Sequence, residues 1–459
     1  MLRRGCRLCV LEDIDLVWPR ASALVTDFYQ LSMLQGYYDQ GMDQTAVFEF
    51  FARNLPASRR FLMAAGLEQV LEFLETFCFT SQELEWLDRS GKFKKDFVDS
   101  LEGFRFSGNV DAMPEGTPFF ASEPILRVEA PMSQAQLVET RIVNLLQYQT
   151  LVASKAARMV LTAPGKTLID YGCRRAHGAE SGLLAARASY LAGFDGTATV
   201  LAGSLFGVPV FGTMAHSFIQ AHKNEMQAFE NFARSHPENI VLLLDTYDTE
   251  EAAKMTVKLA SRLKQEGIAI KGVRLDSGDL AETARSVRRI LDEAGLREIR
   301  VIASGNLDEF ALRDFAVRQA PIDGFGIGSR LTTSADVPYL DCVYKLQEYA
   351  GRPCRKRSEG KSTWPGRKQV YRRRDDAGRM TEDWLTLEEE RRDGDPLLQP
   401  VMRKGRRLAP PVPLSQSRQR AAQELSRLPD ALKSLEPGAV FPVKLSSHLR
   451  ELADKVDRF

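Results

Sequence analysis

Residues 240–279 read IVLLLDTYDTEEAAKMTVKLASRLKQEGIAIKGVRLDSGD, and this stretch decides the fold class. Two apolar runs of strand length, 240–244 and 268–275, each end in an acid, Asp245 and Asp276. Between them Ala252, Ala253, Val257, Leu259, Ala260 and Leu263 recur among charged residues, which is the period of an amphipathic helix. Thr249 is the expected N-cap, and Glu250 and Glu251 suit the positive end of a helix dipole. Working outward, further apolar runs lie at 167–169, 208–211, 299–303 and 322–327. The last four runs end in Asp245, Asp276, Ser304 and Gly328, at spacings of 31, 28 and 24 residues. That is the length of a strand plus a crossover helix, so the pattern predicts a parallel sheet covered by helices. Periodicity does not separate a closed barrel from an open sheet.

Flanking this region the pattern is mixed. Residues 1–22 have no clear pattern and read as an extension. Asp27 is placed to cap a helix beginning at Phe28, Thr45–Phe51 is β-rich, Gly66–Phe77 is amphipathic, and Ser133–Ala157 reads as one long helix. The last 45 residues suggest a short helix near 418–434 and a tail. The expected organisation is 23–160, an N-terminal α/β domain; 161–335, the repeating α/β region; and 336–459, a C-terminal segment.

Composition narrows the class. The 459 residues are 44% hydrophobic and 27% charged, as in globular proteins. Lys plus Arg is 62 against 61 Asp plus Glu, a net charge of +1, which gives no overall attraction to nucleic acid or anionic membrane. Locally the balance breaks: residues 352–374 carry +9 and residues 375–395 carry −6. No apolar run is long enough to span a bilayer, and Glu12, Asp13 and Asp15 interrupt any signal-peptide core, so a cytoplasmic protein is expected. Six scattered cysteines read as reduced thiols; Cys6 and Cys9 form one CxxC, but no second pair completes a zinc site.

Polar residues at the C-terminal ends of parallel strands are where both barrels and open sheets put their active sites. Asp245, Arg274, Asp276 and Asp279 fit that position and suit a phosphorylated ligand or its Mg²⁺ complex. The same acids also suit simple helix capping. Ser304-Gly305-Asn306 and Gly326-Ile-Gly328-Ser329 end the next two runs, where glycine lets backbone N–H groups approach a phosphate. His216 follows the run 208–211 and is the natural proton carrier there. The basic block 352–374 reads as a solvated edge, a nucleic-acid patch or a phosphate-contacting flap; Trp364 and Tyr371 are its only aromatics, thin support for base stacking.

In order along the chain, Leu24-Val-Thr-Asp27-Phe-Tyr29-Gln, Ala46-Val-Phe48-Glu-Phe-Phe-Ala-Arg53, Gly212-Thr-Met-Ala-His216-Ser, Leu243-Leu-Asp245-Thr-Tyr, Val273-Arg274-Leu-Asp276-Ser-Gly-Asp279 and the segment Lys356–Arg372 resemble the nicotinate phosphoribosyltransferases. The resemblance implies an irregular (β/α) barrel plus an α/β domain formed from N-terminal and C-terminal segments. It implies a homodimer with shared active sites, and conversion of nicotinate and phosphoribosyl pyrophosphate to nicotinate mononucleotide and pyrophosphate, with ATP as co-substrate and Mg²⁺ on the pyrophosphate near Asp276 and Asp279. By the same resemblance Tyr171 and the partner subunit's Tyr29 sandwich the pyridine ring. Arg174, Arg274 and the partner subunit's Arg53 contact phosphate or carboxylate. Asp245, Asp276 and Asp279 face the ribose and pyrophosphate, while Ser304, Gly305, Asn306, Gly326, Gly328 and Ser329 hold the 5′-phosphate. His216 is the phosphohistidine position. Ala198 matches a position where nicotinamide-using relatives resemble one another in carrying Asp, so its apolar side chain favours an acid substrate. Nicotinamide or quinolinate phosphoribosyl transfer on the same fold, and nucleic-acid binding through 352–374, are the rival readings.

Overall fold

The computed structural model describes residues 22–358 and 360–458; the Cys6–Cys9 pair and nearly all of the expected extension lie outside them. The chain divides into two compact units. One contains the segments up to Ser154 and from Tyr339 onward, and the other is Lys155–Pro338.

The first unit is built on a seven-stranded antiparallel sheet. Its order is Arg352–Pro353, Cys342–Tyr349, Thr45–Ala52, Pro124–Pro131, Asn109–Ala112, Gln399–Arg403 and Arg406–Arg407. Thr45–Ala52 is buried at every position after Thr45, so both of its faces are covered and the strand is apolar on both, apart from the buried Glu49, instead of alternating. It pairs with Cys342–Tyr349, which is how the C-terminal segment becomes part of the same sheet. A second sheet holds Lys368–Arg374 against Met380–Leu387. There Arg372 and Asp383 face each other fully buried at 2.6 Å. The Glu123 carboxyl lies beside them, and burial, reinforced by Asp383, pushes its pKa well above the usual carboxylate range.

The second unit is a half-barrel of six parallel strands. The order is Gly196–Thr197, Thr167–Asp170, Gly324–Ile327, Arg300–Ser304, Ile270–Leu275 and Ile240–Leu243. Ile240–Leu243 and Gly324–Ile327 are buried end to end, as parallel strands under helices can be. The helices Thr249–Gln265, Leu280–Glu293 and Glu309–Val317 are the crossovers.

Several expectations need correction. The run 208–211 contributes only an isolated bridge from Val210 to Thr197, since Pro209 lacks the N–H a ladder requires. The strand beside Thr167–Asp170 is instead the short Gly196–Thr197. Asp248, not Thr249, caps the helix Thr249–Gln265, accepting from the Glu251 N–H at 2.9 Å. Asp27 makes no side-chain cap; its carboxylate accepts from Thr140 Oγ1 at 2.8 Å. The long helix is two, Met132–Leu137 and Glu139–Thr162, separated at Val138. Beyond Leu414–Ser426 and Asp430–Lys433 the tail adds a strand, Val443–Leu445, and a helix, Ser447–Asp457.

Candidate active site

The C-terminal ends of the half-barrel strands bring most of the expected residues together. Asp245 follows Ile240–Leu243 and is almost buried. Its Oδ2 accepts from the Asp276 N–H at 3.2 Å and from Ser277 Oγ at 2.6 Å. Its Oδ1 is buried without a hydrogen-bond partner and lies 4.0 Å from His216 Nε2. The other imidazole nitrogen, Nδ1, sits 3.1 Å from Thr246 Oγ1. His216 starts the short helix His216–Gln220 and its side chain is 39% exposed, so a reagent can reach the ring while Asp245 stays fixed behind it.

Arg274 projects from the strand Ile270–Leu275. It donates to Thr213 Oγ1 at 3.4 Å and to the Met214 carbonyl at 3.2 Å, while its Nε is buried with no partner. A buried acceptor on Asp245 and a buried donor on Arg274, neither with a hydrogen-bond partner, thus stand at neighbouring strand ends, where a polar ligand would satisfy both. Asp276 Oδ1 accepts from Ser304 Oγ at 2.5 Å, linking adjacent strand ends. Gly305 adopts φ +103°, and a Cβ there would lie 2.5 Å from the Asp276 carbonyl, so only glycine fits.

Tyr171 follows Thr167–Asp170, and its ring lies against the backbone of Gly326, where any Cβ would strike the ring edge. Burial raises the Tyr171 pKa; the nearby Arg274 opposes that shift. Gly328 leads into the turn Ser329–Thr332, and Arg330 Nε donates to Asn306 Oδ1 at 3.1 Å, joining the two glycine-bearing loops. Arg174 lies exposed in the 3₁₀ turn Cys173–Arg175, close enough to Tyr171 to act on its charge.

Asp279 stands apart from this group. Its carboxylate caps the helix Leu280–Glu293 through the Ala281 and Glu282 N–H groups, and it takes Arg318 at 2.9 Å. Here the capping role is the one the geometry displays. In the other unit, Tyr29 is half exposed, with its hydroxyl 3.5 Å from Glu139; burial first, then Glu139, pushes its pKa up to about 12. Arg53 pairs with Asp341 at 3.1 Å, and its Nε is buried without a hydrogen-bond partner. The basic block is largely neutralised: Arg355, Arg367, Lys368, Arg372, Arg373 and Arg374 pair with Asp457, Glu129, Glu49, Asp383, Glu382 and Glu424.

Four supporting residues escaped the motif reading: Thr246 on His216, Ser277 on Asp245, and Asp170 with Thr197 behind Tyr171. The first two adjoin residues already singled out. Asp170 ends the run 167–169, the position that flagged Asp245, but end residues were singled out only for the last four runs.

Comparison with known proteins gives a consistent picture. The nicotinate phosphoribosyltransferase N-terminal domain matches residues 24–147, the family's main region 167–361 and its C-terminal domain 391–453. The chain is 46% identical over 429 residues to a nicotinate phosphoribosyltransferase of Mycobacterium tuberculosis, covering 93% of this chain and 92% of that one. It is 39% identical over 376 residues to that of Bacillus subtilis, covering 80% and 76%. The crystal structure of human nicotinic acid phosphoribosyltransferase superposes with a TM-score of 0.84 at 30% identity, covering 94% of this chain and 99% of the human one.

Proposed function

The chain belongs to the nicotinate phosphoribosyltransferase family, and from that premise we propose how its strand-end cluster carries out the transfer. The enzyme joins nicotinate to the phosphoribosyl group of phosphoribosyl pyrophosphate in NAD salvage. The observation that carries the residue-level reading is the pair of unmet buried atoms, Asp245 Oδ1 and Arg274 Nε, at neighbouring strand ends.

Displacement at the ribose C1 builds positive charge on the sugar and negative charge on the departing pyrophosphate. Asp245 and Asp276 face the ribose side, and their carboxylates stabilise the developing cation. Arg274 and Arg174 answer the negative groups, since a guanidinium forks onto phosphate or carboxylate. The loops Ser304-Gly305-Asn306 and Gly326–Ser329 hold the 5′-phosphate with backbone N–H groups. Asp276 is the residue that would face Mg²⁺ carried on the pyrophosphate, and the ion would supply neutralisation of the leaving group's charge. The capping of Asp279 supports a role in orienting the helix Leu280–Glu293 toward that group, not direct metal contact.

Tyr171 forms one wall for the pyridine ring and Tyr29 of the partner subunit the other; Arg53 of the partner subunit adds a phosphate contact. This makes the working unit a homodimer. His216 receives phosphate from ATP, and the charge so placed biases the site toward its productive arrangement. With Ala198 beside the ring, no carboxylate repels nicotinate, which favours it over nicotinamide. No described helix is long and apolar enough to cross a membrane, and we place the enzyme in the cytoplasm. The test is nucleotide and pyrophosphate formation by the purified protein with nicotinate, nicotinamide and quinolinate, each with and without ATP. Faster turnover of nicotinamide or quinolinate would overturn the substrate assignment, and turnover indifferent to ATP would overturn the coupling.

A further inference from the structure

Asp170 is fully buried, yet no cation from the described residues faces its carboxylate. Its Oδ1 accepts from the Gly172 N–H at 2.8 Å, which closes the turn around Tyr171. Its Oδ2 accepts from Thr197 Oγ1 at 2.8 Å. That hydroxyl in turn accepts from the Thr199 N–H at 3.0 Å, and the Asp170 carbonyl accepts from the Ala198 N–H at 2.8 Å. One carboxylate therefore fastens two neighbouring strand ends together. On one side is the turn that carries Tyr171; on the other is the Thr197–Thr199 segment that carries Ala198. Gly172 leaves no slack in the turn, because a Cβ there would meet Thr332 and Asp170 Oδ1.

Keeping an ionised carboxyl in such a place is unfavourable in itself. Burial raises the Asp170 pKa to about 6 against the pull of both hydrogen bonds. An amide of the same shape would avoid that cost, so stability alone does not account for an acid at this position. A carboxylate accepts at both oxygens, from the Gly172 N–H and from the Thr197 hydroxyl; an amide would have to turn its NH₂ to that hydroxyl, reversing the bond and removing its charge assistance.

We propose that Asp170 is a positioning residue for the base: acting through Tyr171 and the Thr197–Thr199 segment, it fixes where Tyr171 and Ala198 stand relative to each other around the pyridine ring. This rests on the reading above that the ring stacks between Tyr171 and the partner subunit's Tyr29, with Ala198 beside it. Asp170 touches no reacting atom, so its influence falls on binding of the base and not on the phosphoribosyl end.

The test compares steady-state kinetics and thermal unfolding of Asp170→Asn and Thr197→Val with wild type, with Tyr171→Ala in parallel. Both clamp variants are expected to raise KM for nicotinate by about tenfold, as the loss of one charge-assisted hydrogen bond would. KM for phosphoribosyl pyrophosphate and kcat should stay within about twofold, and Asp170→Asn should unfold at or above the wild-type temperature at neutral pH. An unchanged KM for nicotinate in the folded variants overturns the proposal. So does a parallel loss in both KM values, kcat and melting temperature, which is the mark of a purely structural role. If Asp170→Asn does not fold, Thr197→Val decides alone, since it keeps the carboxylate and its Gly172 bond. The reading beneath fails separately: a Tyr171→Ala enzyme with wild-type KM for nicotinate would remove the ring from this place, whereas a raised KM there beside unaffected clamp variants would refute the proposal only.

Discussion

Asp245→Asn gives the sharpest test of the proposed phosphohistidine. The substitution keeps the side-chain shape, and its remaining oxygen can still accept from the Asp276 N–H and Ser277 Oγ. What it removes is the negative charge 4.0 Å from His216 Nε2. As the neutral imidazole attacks phosphorus its ring gains positive charge, and two unit charges at that distance interact by about 4 kcal/mol at an effective dielectric near 20. His216 is 39% exposed, so solvent screens part of this. A loss of about 1.4–2.8 kcal/mol in the phosphorylation transition state is then expected, or ~10–100-fold in rate. The assay is transfer of label from γ-labelled ATP to the protein, quenched in alkali because phosphoramidates are acid-labile. His216→Ala should take up no label, and Asp245→Asn should take it up slowly. Labelling of Asp245→Asn at the wild-type rate would show that the carboxylate does not support charge on this ring.

Other perturbations test the frame around the site. Gly326→Ala should push the Tyr171 ring back by about 1 Å to restore ordinary contact, raising KM for nicotinate several-fold while circular dichroism stays native. Asp170 makes stability depend on pH. Its folded pKa of about 6 lies above the ordinary 3.8, so the folded state binds the proton more tightly, and stability falls as pH rises from about 4 to 6, by roughly 3 kcal/mol. Unfolding midpoints across that window should show this slope in wild type and a shallower one in Asp170→Asn; parallel curves would refute it. Arg372→Met strips the buried Asp383 and Glu123 of their cation and should cost about 3–5 kcal/mol. That cost should shrink as pH falls, because the Glu123 carboxyl, held by burial well above the usual carboxylate range, takes up a proton readily, as chemical denaturation at two pH values would reveal.

The repeat of strand and helix was legible because each crossover has its own apolar stripe, and the stretch 240–279 needs no distant partner to be read. The C-terminal ends of those strands were legible for the same reason, and there Asp245, Asp276 and Ser304 are linked in series by hydrogen bonds. Less visible was everything decided by tertiary pairing. Gly196–Thr197 is a strand only because it lies beside Thr167–Asp170; two residues carry no period. Asp279 and Asp276 look alike in sequence, but one faces the first turn of a helix and Arg318, and the other faces Ser304. The basic run 352–374 suggested a surface for anions. Its acidic partners lie at Glu49, Glu129 and Glu424 as well as in the following acidic run, too far along the chain for a local count to find.

The pairing of Ala52 with Cys342 bears on how the protein is made. The central strand of the first unit leaves the ribosome long before its neighbour exists, since about 290 residues separate them. At ~5–20 residues per second this is a wait of roughly 15–60 s. Throughout that time Thr45–Ala52, almost wholly apolar on both faces, has one unpaired edge, and unpaired apolar edges invite aggregation. The half-barrel, by contrast, is continuous in sequence and can form as soon as it emerges. Synthesis therefore imposes an order: the inserted unit matures first, and the unit whose strands flank it in sequence is completed last. Holding chaperones should meet nascent chains of this protein chiefly through the segment 45–52, and truncation anywhere between Pro338 and Tyr349 should leave a soluble half-barrel joined to an aggregation-prone partner.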